Sequence, residues 1–117
     1  MLSFPGKTRV YLCTAAVDLR KGFDGLSGLV ETVFEQDVLD GHLFLFVNKR
    51  RDRLKALWWD QDGLAIFYKR LERGTFEAPR VAGDAPHLEL DATQLAMLLG
   101  GVSLAGARRR KRFRAAS

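Results

Sequence analysis

The sequence holds few of the residues that build disulfide frameworks and metal centres. Among its 117 residues are one cysteine, two histidines and three prolines. A lone Cys13 excludes an internal disulfide, and with the distant His42 and His87 it is too few for a structural zinc site. Cys13 lies in an apolar run, so we expect a buried thiol. No phosphate-binding loop or local nucleophile motif is present either, and we predict no cofactor.

Long hydrophobic segments are also missing. The longest apolar runs, such as residues 43–47, fall well short of the ~18–20 residues that a membrane-spanning helix needs. No charged, apolar and small-residue signal pattern opens the chain. At 47% hydrophobic residues, with eight Phe and two Trp, the chain can nevertheless bury a core, which excludes global disorder. We therefore expect a soluble cytoplasmic protein with one domain.

Acidic residues are absent from the last eleven positions, and this absence dominates the net charge of +5. Residues 107–117 carry six basic side chains, whereas residues 1–106 together carry a net charge of −1. We predict a nearly neutral domain over residues 1–106 and a flexible basic tail over residues 107–117. Such a like-charge block is expected to be disordered when unbound and to order on an acidic partner, usually nucleic acid. The alternative is a solvated terminus without a specific role.

Hydrophobic periodicity predicts four strands and one helix in the first part of the chain. The apolar run 10–13 indicates a buried strand, and helical spacing of apolar residues predicts an amphipathic helix over 21–35. Residues 42–47 are typical of a strand covered on both faces. Two further strands, 54–59 and 64–71, are separated by turn signals, which favours antiparallel hairpins.

The C-terminal part of the domain adds one strand and one helix. Residues 78–86 form a loop, and residues 87–90 alternate polar and apolar side chains. Asp91 and Gln94 have the spacing of a capping box at the start of a short helix, 92–99. The predicted fold is α+β: a single domain with an antiparallel β meander of about four to five strands and two helices.

The strongest charge cluster in the predicted domain lies at a hairpin connection. Between Lys49 and Lys55 there are five basic residues and one acid, Asp52. A basic loop held by a hairpin can reach phosphates, which predicts nucleic-acid binding through Lys49, Arg50, Arg51, Arg53 and Lys55. The alternative is an exposed turn whose charges keep the sheet soluble and block edge pairing.

Two other kinds of site explain the sequence less simply. Aromatic side chains could stack on unpaired bases; the candidates are Phe44, Phe46, Trp58, Trp59, Phe67 and Tyr68. Core packing explains these residues better, because neighbouring strand residues such as Trp58 and Trp59 face opposite sides and cannot share one stacking surface. Asp60 and Asp62 could supply two ligands of a two-metal nuclease centre. However, Asp-x-Asp-Gly is what a turn prefers, and no spacing points to a third ligand. We therefore predict no metal site and no catalytic residues.

Several ordered blocks resemble the TnpB accessory protein of bacterial insertion-sequence family 66, which is unrelated in function to the RNA-guided nuclease of the same name. The blocks run from about residue 8 to residue 102. They are Asp18-Leu19-Arg20-Lys21-Gly22-Phe23-Asp24-Gly25-Leu26, Gly41-His42-Leu43-Phe44-Leu45-Phe46, Asn48-Lys49-Arg50-Arg51-Asp52-Arg53-Leu54-Lys55, Trp59-Asp60-Gln61-Asp62-Gly63, Tyr68-Lys69-Arg70-Leu71-Glu72-Arg73-Gly74 and Leu90-Asp91-Ala92-Thr93-Gln94-Leu95-Ala96-Met97-Leu98-Leu99.

The resemblance implies a small protein that is encoded beside a separate, larger transposase and takes part in transposition. It supplies no catalytic residues to carry over, and we predict a non-enzymatic protein. Its recurring basic positions add Arg20, Lys21, Lys69 and Arg70 to the hairpin residues as candidate DNA contacts. In the tail, the candidate contacts are Arg108, Arg109, Arg110, Lys111 and Arg112.

The leading hypothesis is therefore an accessory factor that binds DNA and the element's transposase. Two alternatives stay open. One is a protein-interaction module that bridges transposition proteins without dedicated DNA binding, which the near-neutral domain favours. The other is a metal-dependent nuclease that uses Asp60 and Asp62.

Overall fold

The computed structural model describes residues 7–79 and 83–100. It contains five strands, two helices and one 3₁₀ turn. In chain order these are β1 (Val10–Cys13), α1 (Phe23–Thr32), the 3₁₀ turn (Val38–Asp40), β2 (Leu43–Val47), β3 (Arg53–Asp60), β4 (Gly63–Arg70), β5 (His87–Leu90) and α2 (Ala92–Gly100). The predicted α+β class is confirmed, together with the number of strands and helices.

The five strands form one sheet in the order β4-β3-β2-β1-β5. The predicted antiparallel meander is confirmed for β2, β3 and β4, and β5 is antiparallel to β1. The sheet as a whole is mixed, because β1 and β2 are parallel. Parallel neighbours need a long crossover, and α1 lies in that connection. The meander ends at β4, and residues 75–77 do not form a further strand.

Each face of the sheet is covered by its own hydrophobic cluster. On the α1 side, Phe44, Phe46 and Leu57 pack with Leu26 and Phe34. On the other side, Leu12, Leu45 and Leu54 pack with Phe76 and with Leu98 of α2. Successive residues of β2 thus enter opposite clusters, which confirms a strand covered on both faces. Cys13 is buried as predicted, and burial raises the pKa of its thiol.

The helices differ from their predicted bounds mainly at the ends of α1. This helix covers fewer residues than the predicted 21–35, and beyond its C-terminal end Glu35 adopts a left-handed backbone conformation (φ 53°) that turns the chain. The capping box of α2 is confirmed. The Gln94 N–H donates to Asp91 Oδ1 at 2.7 Å, and the Asp91 N–H donates to Gln94 Oε1 at 2.9 Å. Neither described helix is long and apolar enough to cross a membrane.

Candidate nucleic-acid interface

The connection between β2 and β3 is held in one conformation by Asn48. The Asn48 side-chain amide donates to Asp52 Oδ1 at 2.7 Å, and its side-chain oxygen accepts from the Arg53 N–H at 3.0 Å. Its backbone carbonyl accepts from the Arg51 N–H at 3.0 Å, which closes a β-turn. Lys49 and Arg50 therefore occupy the two central positions of that turn, and both side chains are exposed.

Backbone hydrogen bonds from the residues that follow β4 also hold this loop. The Leu71 N–H donates to the Asp52 carbonyl, and the Phe76 N–H donates to the Arg51 carbonyl, each at 2.7 Å. Phe76 and Leu71 are buried in the core, so these bonds attach the loop to the body of the protein. The hydrogen bond from Asn48 holds the pKa of Asp52 below its usual value, and nearby Arg50 and Arg53 add to this effect. The basic side chains thus project from a backbone that is already ordered.

An open groove of about 840 Å³ lies between this loop and the segment that leads from β1 to α1. Five cationic side chains and two carboxylates line it. The lining residues are Ala16, Val17, Asp18, Leu19, Arg20, Asn48, Lys49, Arg50, Asp52, Arg53, Lys55 and Tyr68. The groove therefore joins one of the added candidates, Arg20, to four of the five hairpin residues.

Arg20 lines the groove and forms an ion pair with Asp18. Its Nη2 lies 2.6 Å from Asp18 Oδ2, and its Nε contacts both carboxylate oxygens at 3.0 Å. The hydrogen bonds from Arg20 lower the pKa of Asp18 from 3.8 to about 2. The carboxylate offsets much of the positive charge that Arg20 would otherwise present.

The remaining cations of the groove are not neutralised in this way. Within residues 7–79 and 83–100, Lys49, Arg50, Arg53 and Lys55 form no ion pair. Arg53 Nη1 donates to the Tyr68 hydroxyl at 2.9 Å. Lys55 Nζ donates to the Lys21 carbonyl at 2.9 Å and lies 4.9 Å from the centre of the Tyr68 ring. Neutral partners orient these two cations without cancelling their charge.

Three of the other predicted residues do not line the groove. Arg51 Nη1 lies 3.5 Å from Glu77 Oε2, and Arg51 lines a separate cavity of about 80 Å³. Lys69 is opposite Leu54, whose side chain is in the α2-side cluster, so Lys69 is on the other face of the sheet. Arg70 is opposite Arg53 but is held by Glu72 at 2.8 Å.

The other predicted contacts are Lys21 and residues 108–112 of the tail. Lys21 is exposed and borders the groove through its carbonyl. Residues 108–112 lie outside the described residues.

The predicted turn at Asp60 and Asp62 is confirmed as a two-residue connection between β3 and β4, with Gln61 rather than Gly63 at positive φ (56°). In the described part of the chain, no group of three potential metal ligands is found.

Two residues of the site were not predicted as site residues. Asn48 lies in the polar connection of the hairpin, where an Asn at the first position of a turn and an Asp four positions later are a recognisable signal for such a loop. Tyr68 is one of the six aromatic residues for which the sequence favours core packing. That interpretation is confirmed for Phe44 and Phe46, which are fully buried, but 48% of the Tyr68 surface is exposed.

The sequence matches the family described as "IS66 Orf2 like protein" over residues 8–109. The chain belongs to this family. It is 37% identical over 102 residues to the Sinorhizobium fredii protein y4hO, covering 87% of each chain. It is 35% identical over 94 residues to y4jC of the same organism, covering 80% of this chain and 79% of y4jC. No solved structure matches it.

Membership of the IS66 Orf2 family makes this protein a transposition-associated accessory protein. The family match contains every residue that lines the groove. It ends at residue 109, so most of the arginine-rich block lies beyond it. Of the groove and the arginine-rich block, the groove is therefore the one that lies wholly within the matched residues 8–109.

Proposed function

We propose that this protein is a non-enzymatic accessory factor that binds the DNA of its element through the basic groove. The observation that carries the proposal is the convergence of Lys49, Arg50, Arg53 and Lys55 on one groove without carboxylate partners among the described residues. Each phosphate that such a cation neutralises releases counterions, which favours binding. A stiff loop also limits the entropy lost when the side chains engage DNA.

The distribution of charge along the chain supports binding from the groove side. Residues 22–48 contain no Lys or Arg. They carry five exposed carboxylates: Asp24, Glu31, Glu35, Asp37 and Asp40. The segment of α1 and the 3₁₀ turn therefore repels phosphates, whereas the groove attracts them. A protein with a nearly neutral domain can thus still present one cationic surface.

The arginine-rich tail supplements this surface in our proposal. Arg108, Arg109, Arg110, Lys111 and Arg112 would add salt-sensitive affinity, which carries no preference for base sequence. Lys21 would extend the groove at its border.

Two double variants of equal charge change test the proposal. Arg50→Ala with Arg53→Ala removes two groove cations, whereas Lys69→Ala with Arg70→Ala removes two cations outside it. Binding to element-end and unrelated duplexes is measured across a salt series. If two phosphate contacts are lost, the slope of log K against log salt should fall by about 2 for the groove variant. Equal effects of the two variants, or absence of salt-sensitive binding by the wild type, would contradict the proposal.

A second candidate function, bridging of transposition proteins, is favoured by two exposed hydrophobic side chains in the acidic segment. Phe23 is 49% exposed and Leu39 is 57% exposed. An acidic surface with apolar side chains suits a basic patch on the element's transposase. The test is co-purification with that transposase from nuclease-treated extract, comparing wild type with Leu39→Lys. Loss of the complex upon nuclease treatment would count against bridging by protein contacts.

A further inference from the structure

Tyr68 differs from most aromatic side chains of this protein in its surroundings. Phe44 and Phe46 are fully buried, and Trp58 and Trp59 are partly buried. Phe67 is 37% exposed but faces the opposite side of β4. Tyr68 is the one aromatic residue among those that line the basic groove.

The contacts of Tyr68 hold its ring among cations. The hydroxyl accepts a hydrogen bond from Arg53 Nη1 at 2.9 Å. Lys55, which is opposite Tyr68 in the sheet, lies over the ring with Nζ at 4.9 Å from its centre. These contacts fix the ring, while the residue as a whole remains 48% exposed. An ordered, exposed aromatic ring among unpaired cations is the combination that proteins use to hold single-stranded nucleic acid.

We infer that the groove receives unpaired nucleotides of the DNA, with one base stacked on Tyr68 and the flanking phosphates on Arg50 and Arg53. This inference rests on the proposed DNA binding and specifies its substrate. Inside a duplex both faces of each base are covered by its neighbours and only a terminal pair has one free face, so the Tyr68 ring would gain little from stacking. At a single-stranded extension the face of a base is free, and stacking adds to the phosphate contacts. A groove of about 840 Å³ is large enough for a nucleotide-sized group.

Binding of matched oligonucleotides tests this inference. The probes are a blunt duplex, the same duplex with a single-stranded extension, and the single strand alone, each measured across a salt series. We expect the extended duplex to bind more tightly than the blunt one. Tyr68→Leu should weaken binding to the extended duplex by roughly 5- to 100-fold and leave the blunt duplex unaffected. Since the lost contact is not ionic, the salt slope should not change.

Two control variants separate stacking from folding effects. Phe67→Leu removes an exposed ring from the neighbouring position on the other face of the same strand, and it should leave binding unchanged. Tyr68→Phe keeps the ring and loses only the bond from Arg53, so it should retain most of the preference for the extended duplex. A 2-aminopurine in the extension should also lose fluorescence upon binding to the wild type, because stacking quenches it.

The possible failures are distinguishable. Salt-sensitive binding that is equal for blunt and extended duplexes, or that is unchanged by Tyr68→Leu, would overturn this inference and leave the proposed DNA binding intact. No salt-sensitive binding to any probe would overturn both.

Discussion

The side-chain oxygen of Asn48 accepts a hydrogen bond from the backbone N–H of Arg53 at 3.0 Å, so the first residue of the turn also fixes the first residue of β3. The Asn48 amide also bonds Asp52 at 2.7 Å. We expect Asn48→Ala to lower the free energy of unfolding by about 1–3 kcal/mol, because two hydrogen bonds, one of them partly buried, are lost. DNA affinity should fall too, although no charge has changed.

Lys49→Ala is the matched control for that prediction. Lys49 is exposed in the same loop, so this variant should change the free energy of unfolding by less than about 0.5 kcal/mol. It should still weaken DNA binding and lower the salt slope. Urea titration of both variants, together with DNA binding, would separate loop geometry from charge. Equal stability of the Asn48→Ala variant and the wild type would show that Asn48 does not hold the loop.

The pair of Asp18 and Arg20 predicts a variant that binds DNA more tightly. Asp18→Asn removes the carboxylate that neutralises Arg20. The asparagine keeps a side-chain oxygen as an acceptor for the backbone N–H of Arg20, which in the wild type donates to Asp18 Oδ1 at 3.0 Å. The groove then loses one of its two negative charges. We expect higher affinity at low salt and a steeper salt dependence than in the wild type. Unchanged binding would mean that Arg20 lies outside the DNA footprint.

The same pair also makes stability depend on pH. Hydrogen bonds from Arg20 lower the pKa of Asp18 from 3.8 to about 2 in the folded protein. A carboxyl group with a lowered pKa contributes stability above its unfolded-state pKa, and this contribution disappears as the pH falls through its folded-state pKa. Urea midpoints measured from about pH 5 down to pH 2 should therefore fall more steeply for the wild type than for Asp18→Asn. Parallel curves would contradict the assignment.

Much of the fold follows from local patterns in the sequence. The capping box at Asp91, the buried strand β2 and the turn between Asp60 and Gly63 were all predictable, because each depends on neighbouring residues. The parallel pairing of β1 with β2 was not predicted. It depends on where the chain re-enters the sheet after α1, and strand periodicity alone contains no information on pairing direction.

The site was predictable as a cluster but not as a surface. The charge of residues 49–55 is visible in the sequence, yet Arg51 adopts φ 62° and is directed to Glu77, away from the groove. Lys69 and Tyr68 are neighbours in the chain but lie on opposite faces of β4. Arg20 is brought to the groove by the β1–α1 connection. Such assignments require the register of the sheet and the conformation of the loop.

The capping box provides a prediction on stability that does not involve the groove. Asp91 accepts from the Gln94 N–H at 2.7 Å at the start of α2. We expect Asp91→Ala to lower the free energy of unfolding by about 1 kcal/mol, and Asp91→Ser to retain most of it, since serine also caps helices. Urea titration is the measurement. DNA affinity should be the same for both variants as for the wild type.

Arg50 and Arg51 are neighbours in the loop, but the left-handed backbone conformation of Arg51 directs its side chain to Glu77, away from the groove. A left-handed conformation costs a residue with a side chain roughly 1–2 kcal/mol, and a β-branched residue more. Arg51→Gly should therefore keep the free energy of unfolding within about 1 kcal/mol of the wild type, even though the contact with Glu77 is lost. Arg51→Val should clearly destabilise the protein.

Because Arg51 does not line the groove, Arg51→Gly should weaken DNA binding less than Arg50→Ala, which removes the same charge one position earlier. Urea titration and DNA binding at several salt concentrations test both statements, and equal losses of affinity would place Arg51 within the DNA footprint.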